Sequence, residues 1–362
     1  MEVRRTATTT AIVFLSICCA LRAAEMTTLH MDENCMRALK SKFARPAVVP
    51  FPAGNAWTQE REELGRMLFF DPRLSGSGAI SCATCHNPAF GWDDGLAKAV
   101  GHGSKQLTRK TPTIVNAAWG QRFFWDGRAD SLEEQALGPI QSAGEMNLPI
   151  EKLRAVVRSI GGYQPLFQRA YPGEPMDERT IAKAIATFER TLVSAEAPFD
   201  RWVKGDEHAI SDSAKRGFLV FNGKAMCAEC HSGWEFTDHG FHNVGTFGDD
   251  PGRGKFDKAD KMQHAFNTPG LRNVAKRAAF MHDGAEPTLE SVIDFYDKGG
   301  MCALTNFSPE THPLSLTPGE KRELLNFLAT LTSDDPRVQI PALPGRDDHS
   351  LRSSSVLPTL AQ

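Results

Sequence analysis

Cysteine and histidine recur in one arrangement at two places, Cys82-Ala83-Thr84-Cys85-His86 and Cys227-Ala228-Glu229-Cys230-His231. Two thiols three positions apart can each add to a vinyl group of one porphyrin, and the adjoining imidazole then stands beneath the iron as proximal ligand. This is the attachment pattern of a c-type haem. A thioredoxin-like Cys-x-x-Cys does not need the histidine, and a structural zinc site would gather its four ligands rather than split them by more than a hundred residues. The sequence therefore predicts one chain with two covalent haems, one on Cys82, Cys85 and His86 and one on Cys227, Cys230 and His231.

Two porphyrins need elements to wrap them. Helical periodicity is clearest over 60–70, 151–159, 180–193, 212–221, 289–296 and 318–331. The last segment has a full start signal, with Thr317 as N-cap, Pro318 at the first helical position and Glu320 closing a capping box. Strand-like alternation is scarce, and 30 glycines with 22 prolines demand many turns. The expected fold is mainly α: two cytochrome c-like domains, each wrapping one covalently attached haem, with long ordered loops. A polar stretch at 200–212 suggests the boundary, giving domains over 25–205 and 206–334 and a flexible tail over 335–362.

Arg4 and Arg5 precede an apolar run at 11–21 and small residues at Ala23 and Ala24, so 1–24 reads as a secretory signal peptide. The run falls short of the ~20 residues needed to span a bilayer. Cys18 follows bulky Ile17, which disfavours a lipoprotein cleavage box. Export to the periplasm suits covalent haem assembly. It also leaves Cys35 and Cys302 as the cysteines outside the signal and the haem motifs, able to form a disulfide if they meet. A net charge of −3 gives no electrostatic footprint for nucleic acid.

The turn Phe124-Trp125-Asp126-Gly127-Arg128 has a partner in Phe280-Met281-His282-Asp283-Gly284, and each is followed by Ser/Thr-Leu-Glu at 131–133 and 288–290. Taken with Leu64-Gly65-x-x-Leu68-Phe69-Phe70-Asp71, Thr111-Pro112-Thr113, Phe241-His242-Asn243-Val244-Gly245 and Thr268-Pro269-x-Leu271-Arg272-Asn273, these markers run in order from about Glu60 to Thr332. The chain resembles the bacterial di-haem cytochrome c peroxidase superfamily, and within it the His/Tyr-ligated MauG/MbnH-type branch.

The resemblance implies a division of labour. The His86 haem would meet hydrogen peroxide, with Glu145 as the catalytic acid–base and Gln135 and Pro139 at the other distal-pocket positions. Trp125 would relay electrons between the haems. The His231 haem would be the electron-transfer centre, with Tyr296 as sixth ligand; read without the resemblance, Tyr296 is an amphipathic-helix residue and Met281 or Met301 could ligate. A phenolate favours ferric and high-valent iron, whereas a thioether favours ferrous iron. The implied function is a periplasmic di-haem peroxidase that oxidises a tryptophan or other aromatic side chain on a partner protein. The alternative is peroxide detoxification with electrons from a small cytochrome c or cupredoxin, and an alternative of another class is a non-catalytic di-haem electron carrier.

Three positions depart from the pattern. Lys110 precedes Thr-Pro-Thr where the family usually has an asparagine near a calcium ion, and Arg277 occupies a second position of that site, so either Lys110 supplies the charge or calcium is held by other carbonyls. His102 has the spacing of a displaceable distal ligand, which would close the peroxide site until the other haem is reduced. Ala225 stands where MauG carries the surface tryptophan that oxidises its protein substrate, so any protein substrate must use another exit.

Overall fold

The computed structural model of the chain describes residues 32–246, 248–300, 308 and 311–345. The signal segment 1–24, Met301, and Cys302 with its proposed partnership to Cys35, lie outside the described residues, as does the tail beyond 345.

Two helix pairs organise the molecule. Helices α1 (Glu33–Ser41) and α2 (Gln59–Phe70) come first, and α2 starts where Thr58 accepts a hydrogen bond from the Arg61 amide. Its apolar positions Leu64, Leu68 and Phe69 are buried against α7 (Glu178–Thr191), itself capped by Asp177. Gly65 allows the crossing: a Cβ there would lie 1.9 Å from the Ala184 carbonyl oxygen. Helices α9 (Asp212–Asn222) and α11 (Pro318–Ala329) repeat the device, with Gly217 facing the Glu323 carbonyl, also at 1.9 Å. Thr317, Pro318 and Glu320 cap α11 as the sequence predicts.

Each pair nucleates its own core. The first gathers Leu64, Phe69, Ile140, Val157, Tyr163, Ile181 and Phe188, and the second Phe199, Trp202, Phe218, Phe221, Phe236 and Phe327. The ends of the chain cross over. Phe43, just after α1, packs on Phe218 and Phe236 of the second core at ring-centroid distances of 5.4 and 4.9 Å. Burying such a ring contributes about 1.5–3 kcal/mol, more than the Lys40–Glu207 ion pair whose acid is exposed. In the other direction the Pro344 carbonyl accepts from Arg73, and that of Gly345 from the Gly162 amide, both in the first unit.

Five further helices were not foreseen: α1, α3 (Cys82–Cys85), α4 (Leu132–Gln141), α6 (Tyr163–Ala170) and α8 (Pro198–Val203). α5 (Ile150–Ser159) and α10 (Leu289–Asp297) fall where periodicity placed them. Strand is confined, among the described residues, to β1 (Phe241–His242) paired antiparallel with β2 (Phe266–Asn267) and to isolated bridges. The chain is mainly α, and no described helix is long and apolar enough to cross a membrane.

The faint sequence repeat is a repeat of backbone. Phe124 and Met281 have φ +67° and +68°, Gly127 and Gly284 +63° and +69°, and an antiparallel bridge closes each turn, Phe123 with Ala129 and Phe280 with Glu286. Asn116 and Asn273 likewise share positive φ and each starts a short 3-10 turn. Ser131 and Thr288 then cap α4 and α10. All these pairs are 157 positions apart. Each turn packs closely on the opposite half: a Cβ on Gly127 would strike the Phe241 ring at 2.2 Å, and one on Gly284 the Ala97 carbonyl at 2.0 Å. Glycine is required at both for positive φ and for close approach.

Candidate functional site

Each Cys-x-x-Cys-His motif coils into a single turn that sets its two thiols on one side. In α3 the Ser81 and Thr84 side chains cap the turn reciprocally, and the His86 amide closes it onto the Cys82 carbonyl at 2.8 Å. The His231 amide bonds the Cys227 carbonyl at the same distance. His86 Nδ1 lies 3.2 Å from the Trp92 carbonyl and His231 Nδ1 2.9 Å from that of Phe236. A carbonyl only accepts, so Nδ1 carries the proton in both rings and the Nε2 lone pair is left bare for a metal. Burial pushes both imidazoles below their ordinary pKa and keeps them neutral. As free thiols, Cys85 is pushed up to about 11 and Cys227 to about 12 by burial. A redox dithiol needs the opposite shift.

Both motifs open onto one cavity of about 1400 Å³. That exceeds the roughly 300–1,000 Å³ of a single-ligand pocket. Paired thiols beside a bare imidazole nitrogen, twice, on the wall of a space this large fit two haems. Trp125, Gln135, Glu145 and Tyr296 stand on the same wall. His102 does not: its amide donates to the Glu145 carbonyl at 2.9 Å, and Gly101 rather than His102 lines the cavity.

The repeat makes the two ends of this cavity unequal. Pro139 in α4 is 157 positions before Tyr296 in α10, so one address in the two copies holds a residue with no donor atom and a residue with a phenol. Gln135 and Pro139, four apart, share a face of α4. The chain then turns, the Met146 amide bonding the Pro139 carbonyl at 3.0 Å, with buried Met146 anchoring the turn that carries Glu145. Tyr296 sits on the cavity wall at the other end, its phenol pushed far above its ordinary value by burial.

Trp125 lies at the joint, where its Nε1–H donates to the Lys110 carbonyl at 2.9 Å. Lys110 and Arg277 both reach the cavity wall, and Asp93 stands with them.

Sequence reasoning missed two features. Glu189, on α7 and 4% exposed, points Oε2 at no hydrogen-bond partner, and burial pushes its carboxyl up to about 8. The signal was there in an acid on an otherwise apolar helix face. Asp238 and His242 pair at 2.7 Å beside Cys230, and the His242 imidazole is raised to about 10, first by its hydrogen bond to Asp238. The i, i+4 spacing carries no signal in a segment without helical pattern.

A family model described as di-haem cytochrome c peroxidase matches residues 59–208. The methylamine utilization protein MauG of Methylorubrum extorquens is 49% identical over 325 residues, covering 89% of this chain and 92% of that one. The cytochrome c551 peroxidase of Nitrosomonas europaea is 34% identical, covering 86% and 91%. Among solved structures, a MauG-like protein associated with microbial copper homeostasis superposes with a TM-score of 0.74 at 30% identity, covering 80% of this chain and 95% of that one.

Proposed function

This chain belongs to the di-haem cytochrome c peroxidase family, and from that premise we propose that it uses hydrogen peroxide, in the periplasm, to oxidise a tryptophan or another aromatic side chain on a partner protein. It is an oxidoreductase with two haem c groups, which removes the reading as a non-catalytic carrier. Each bound haem supplies an iron that exchanges electrons.

The observation that carries the proposal is the difference between Pro139 and Tyr296 at one repeated address. Pro139 leaves the His86 end open to a small molecule. Glu145 reaches that end with a carboxylate able to take a proton from one peroxide oxygen and return it to the other, as heterolytic cleavage requires. Gln135 offers an amide to orient the same molecule. Tyr296 closes the His231 end, which excludes peroxide there. On this reading Trp125, hydrogen-bonded to Lys110, passes electrons between the two ends. The position of His102, outside the cavity wall, supports a site that needs no opening by prior reduction.

One observation favours detoxification with electrons from a small cytochrome c or cupredoxin: Ala225, where the resemblance places an exit tryptophan, is 5% exposed and small. Peroxide added to the ferric haem-loaded protein separates the readings. Rapid spectral change without pre-reduction, slowed ~10²–10⁴-fold in Glu145→Gln, supports the proposal, and a strict need for half-reduction overturns it.

A further inference from the structure

The family implies a calcium ion at the joint between the haem cradles, and the residues of this joint do not fit one. Calcium takes 6–8 oxygen ligands at 2.3–2.6 Å. Here most of the oxygens that converge on the joint already accept from protein donors, and the one that does not, Asp93 Oδ2, faces an ammonium. Lys110, 7% exposed, donates from Nζ to the Leu96 carbonyl at 3.1 Å and lies 3.2 Å from Asp93 Oδ2, an ion-pair distance without hydrogen-bond alignment. The other Asp93 oxygen accepts from the Gly95 amide. Asp94 is engaged by Thr111 Oγ1 and the Leu96 amide. Arg277, half-buried, brings a second cation within electrostatic reach of Asp93, its guanidinium pushed down to about 10 by burial of the charged group yet still charged at neutral pH. Among the described residues, no trio of His, Cys, Asp and Glu donor atoms gathers here; the one such trio is Cys230, Asp238 and His242, at the second haem motif. The one buried carboxylate here is offset by the Lys110 ammonium beside it and by the charge of Arg277, which leaves no net negative charge to hold a divalent ion.

We infer that Lys110 is the built-in cation of this joint, and that the chain holds its two haem cradles in register without calcium. Lys110 is where three connections meet. Its ammonium pairs with Asp93, whose neighbour Trp92 accepts the His86 Nδ1–H through its carbonyl. Its own carbonyl accepts the Trp125 Nε1–H. Its amide donates to the His282 carbonyl in the second copy of the turn, at 2.8 Å. One residue thus ties the strap behind His86, the ring of Trp125 and the opposite half of the molecule. Lys110 acts through these groups and is a positioning residue.

The inference rests on the two-haem assignment and on no choice of donor, so its test reads metal content and haem spectra rather than activity. The full haem-loaded chain is dialysed against EDTA, its calcium measured by atomic emission, and the two ferric haems followed by absorption and electron paramagnetic resonance. The expected result is no stoichiometric calcium and spectra unchanged by EDTA or by added calcium. Calcium retained at about one ion per chain would overturn the inference. Lys110→Asn removes the ammonium and restores an oxygen donor. Its haem spectra should shift in EDTA and return towards the parent's with calcium, and spectra identical to the parent's in EDTA would count against Lys110 as the positioning cation. Should that variant fail to fold, the metal content of the unsubstituted protein decides alone.

Discussion

Trp125 and His282 occupy the same position in two copies of one turn, and each offers its carbonyl to the opposite half: the Asn267 amide donates to Trp125 at 2.9 Å and the Lys110 amide to His282 at 2.8 Å. Lys110 and Asn267 are themselves repeat counterparts. The pairing is a pseudo-twofold joint with the Trp125 indole on one side and, on the other, an imidazole stacked on Phe266 at 3.6 Å.

Trp125→Phe keeps an aromatic ring but deprives the buried Lys110 residue of a donor to its carbonyl. The expected cost is about 1–3 kcal/mol for an unmet buried acceptor, read as a lower denaturant midpoint. Stopped-flow spectra should also show the His231 haem responding to peroxide more slowly than in the parent, and synchronous responses would remove Trp125 from the relay.

Tyr296→Met replaces a phenol by a thioether on the same helix face. The His231 haem should move to a spectrum of His/Met type and a more positive potential, while the His86 haem is unaffected. An unchanged spectrum in that variant refutes the tyrosine ligand.

Gly65→Ala and Gly217→Ala test the two crossings. Alanine is favoured over glycine within a helix by about 0.5–1 kcal/mol, yet a methyl 1.9 Å from a backbone oxygen must push two helices apart. Overpacking of ~1–3 kcal/mol or more should win. Gly54→Ala, with no atom within 4 Å of the new Cβ, is the matched control and should be near neutral by urea melt.

Arg109 clamps Asp250 with bonds of 2.6 and 2.8 Å while bonding Asp126 at 2.7 Å, joining the two halves. Against burial, which raises it, the hydrogen bond from Arg109 holds the Asp250 carboxyl down at about 2. A depressed acid binds fewer protons folded than unfolded, so stability rises with pH across this window. The contribution is complete above the unfolded value of about 4 and is lost as pH falls through about 2. Asp250→Asn should be less stable at pH 7 and lack this segment of the acid limb in melts recorded across pH. A parent and variant with parallel acid limbs would exclude the clamp.

What could be read from the chain divides along a physical line. The haem motifs are local chemistry written in five residues, and helices such as Gln59–Phe70 and Pro318–Ala329 carry their own periodicity and caps. Leu132–Gln141 has Gly138 and Pro139 inside it, and Cys82–Cys85 is one turn, so neither gives a period to detect. The pairing of Lys110 with Asp93 and the isolation of Glu189 depend on how loops and helices are stacked in space. Propensity and spacing carry no record of that stacking. The repeat lay between these cases: its letters are faint because only positive-φ positions and caps constrain them, and its backbone is distinct because those positions determine the turn.

The crossed segments tie each core to residues remote in sequence. The surface of the unit around Leu64 and Phe188 is bonded by Pro344 and Gly345, which follow the whole second unit in sequence. Phe43, which precedes the first unit in sequence, finds its core in Phe218 and Phe236 of the second. Neither unit therefore has all of its contacts until both halves of the chain are in place.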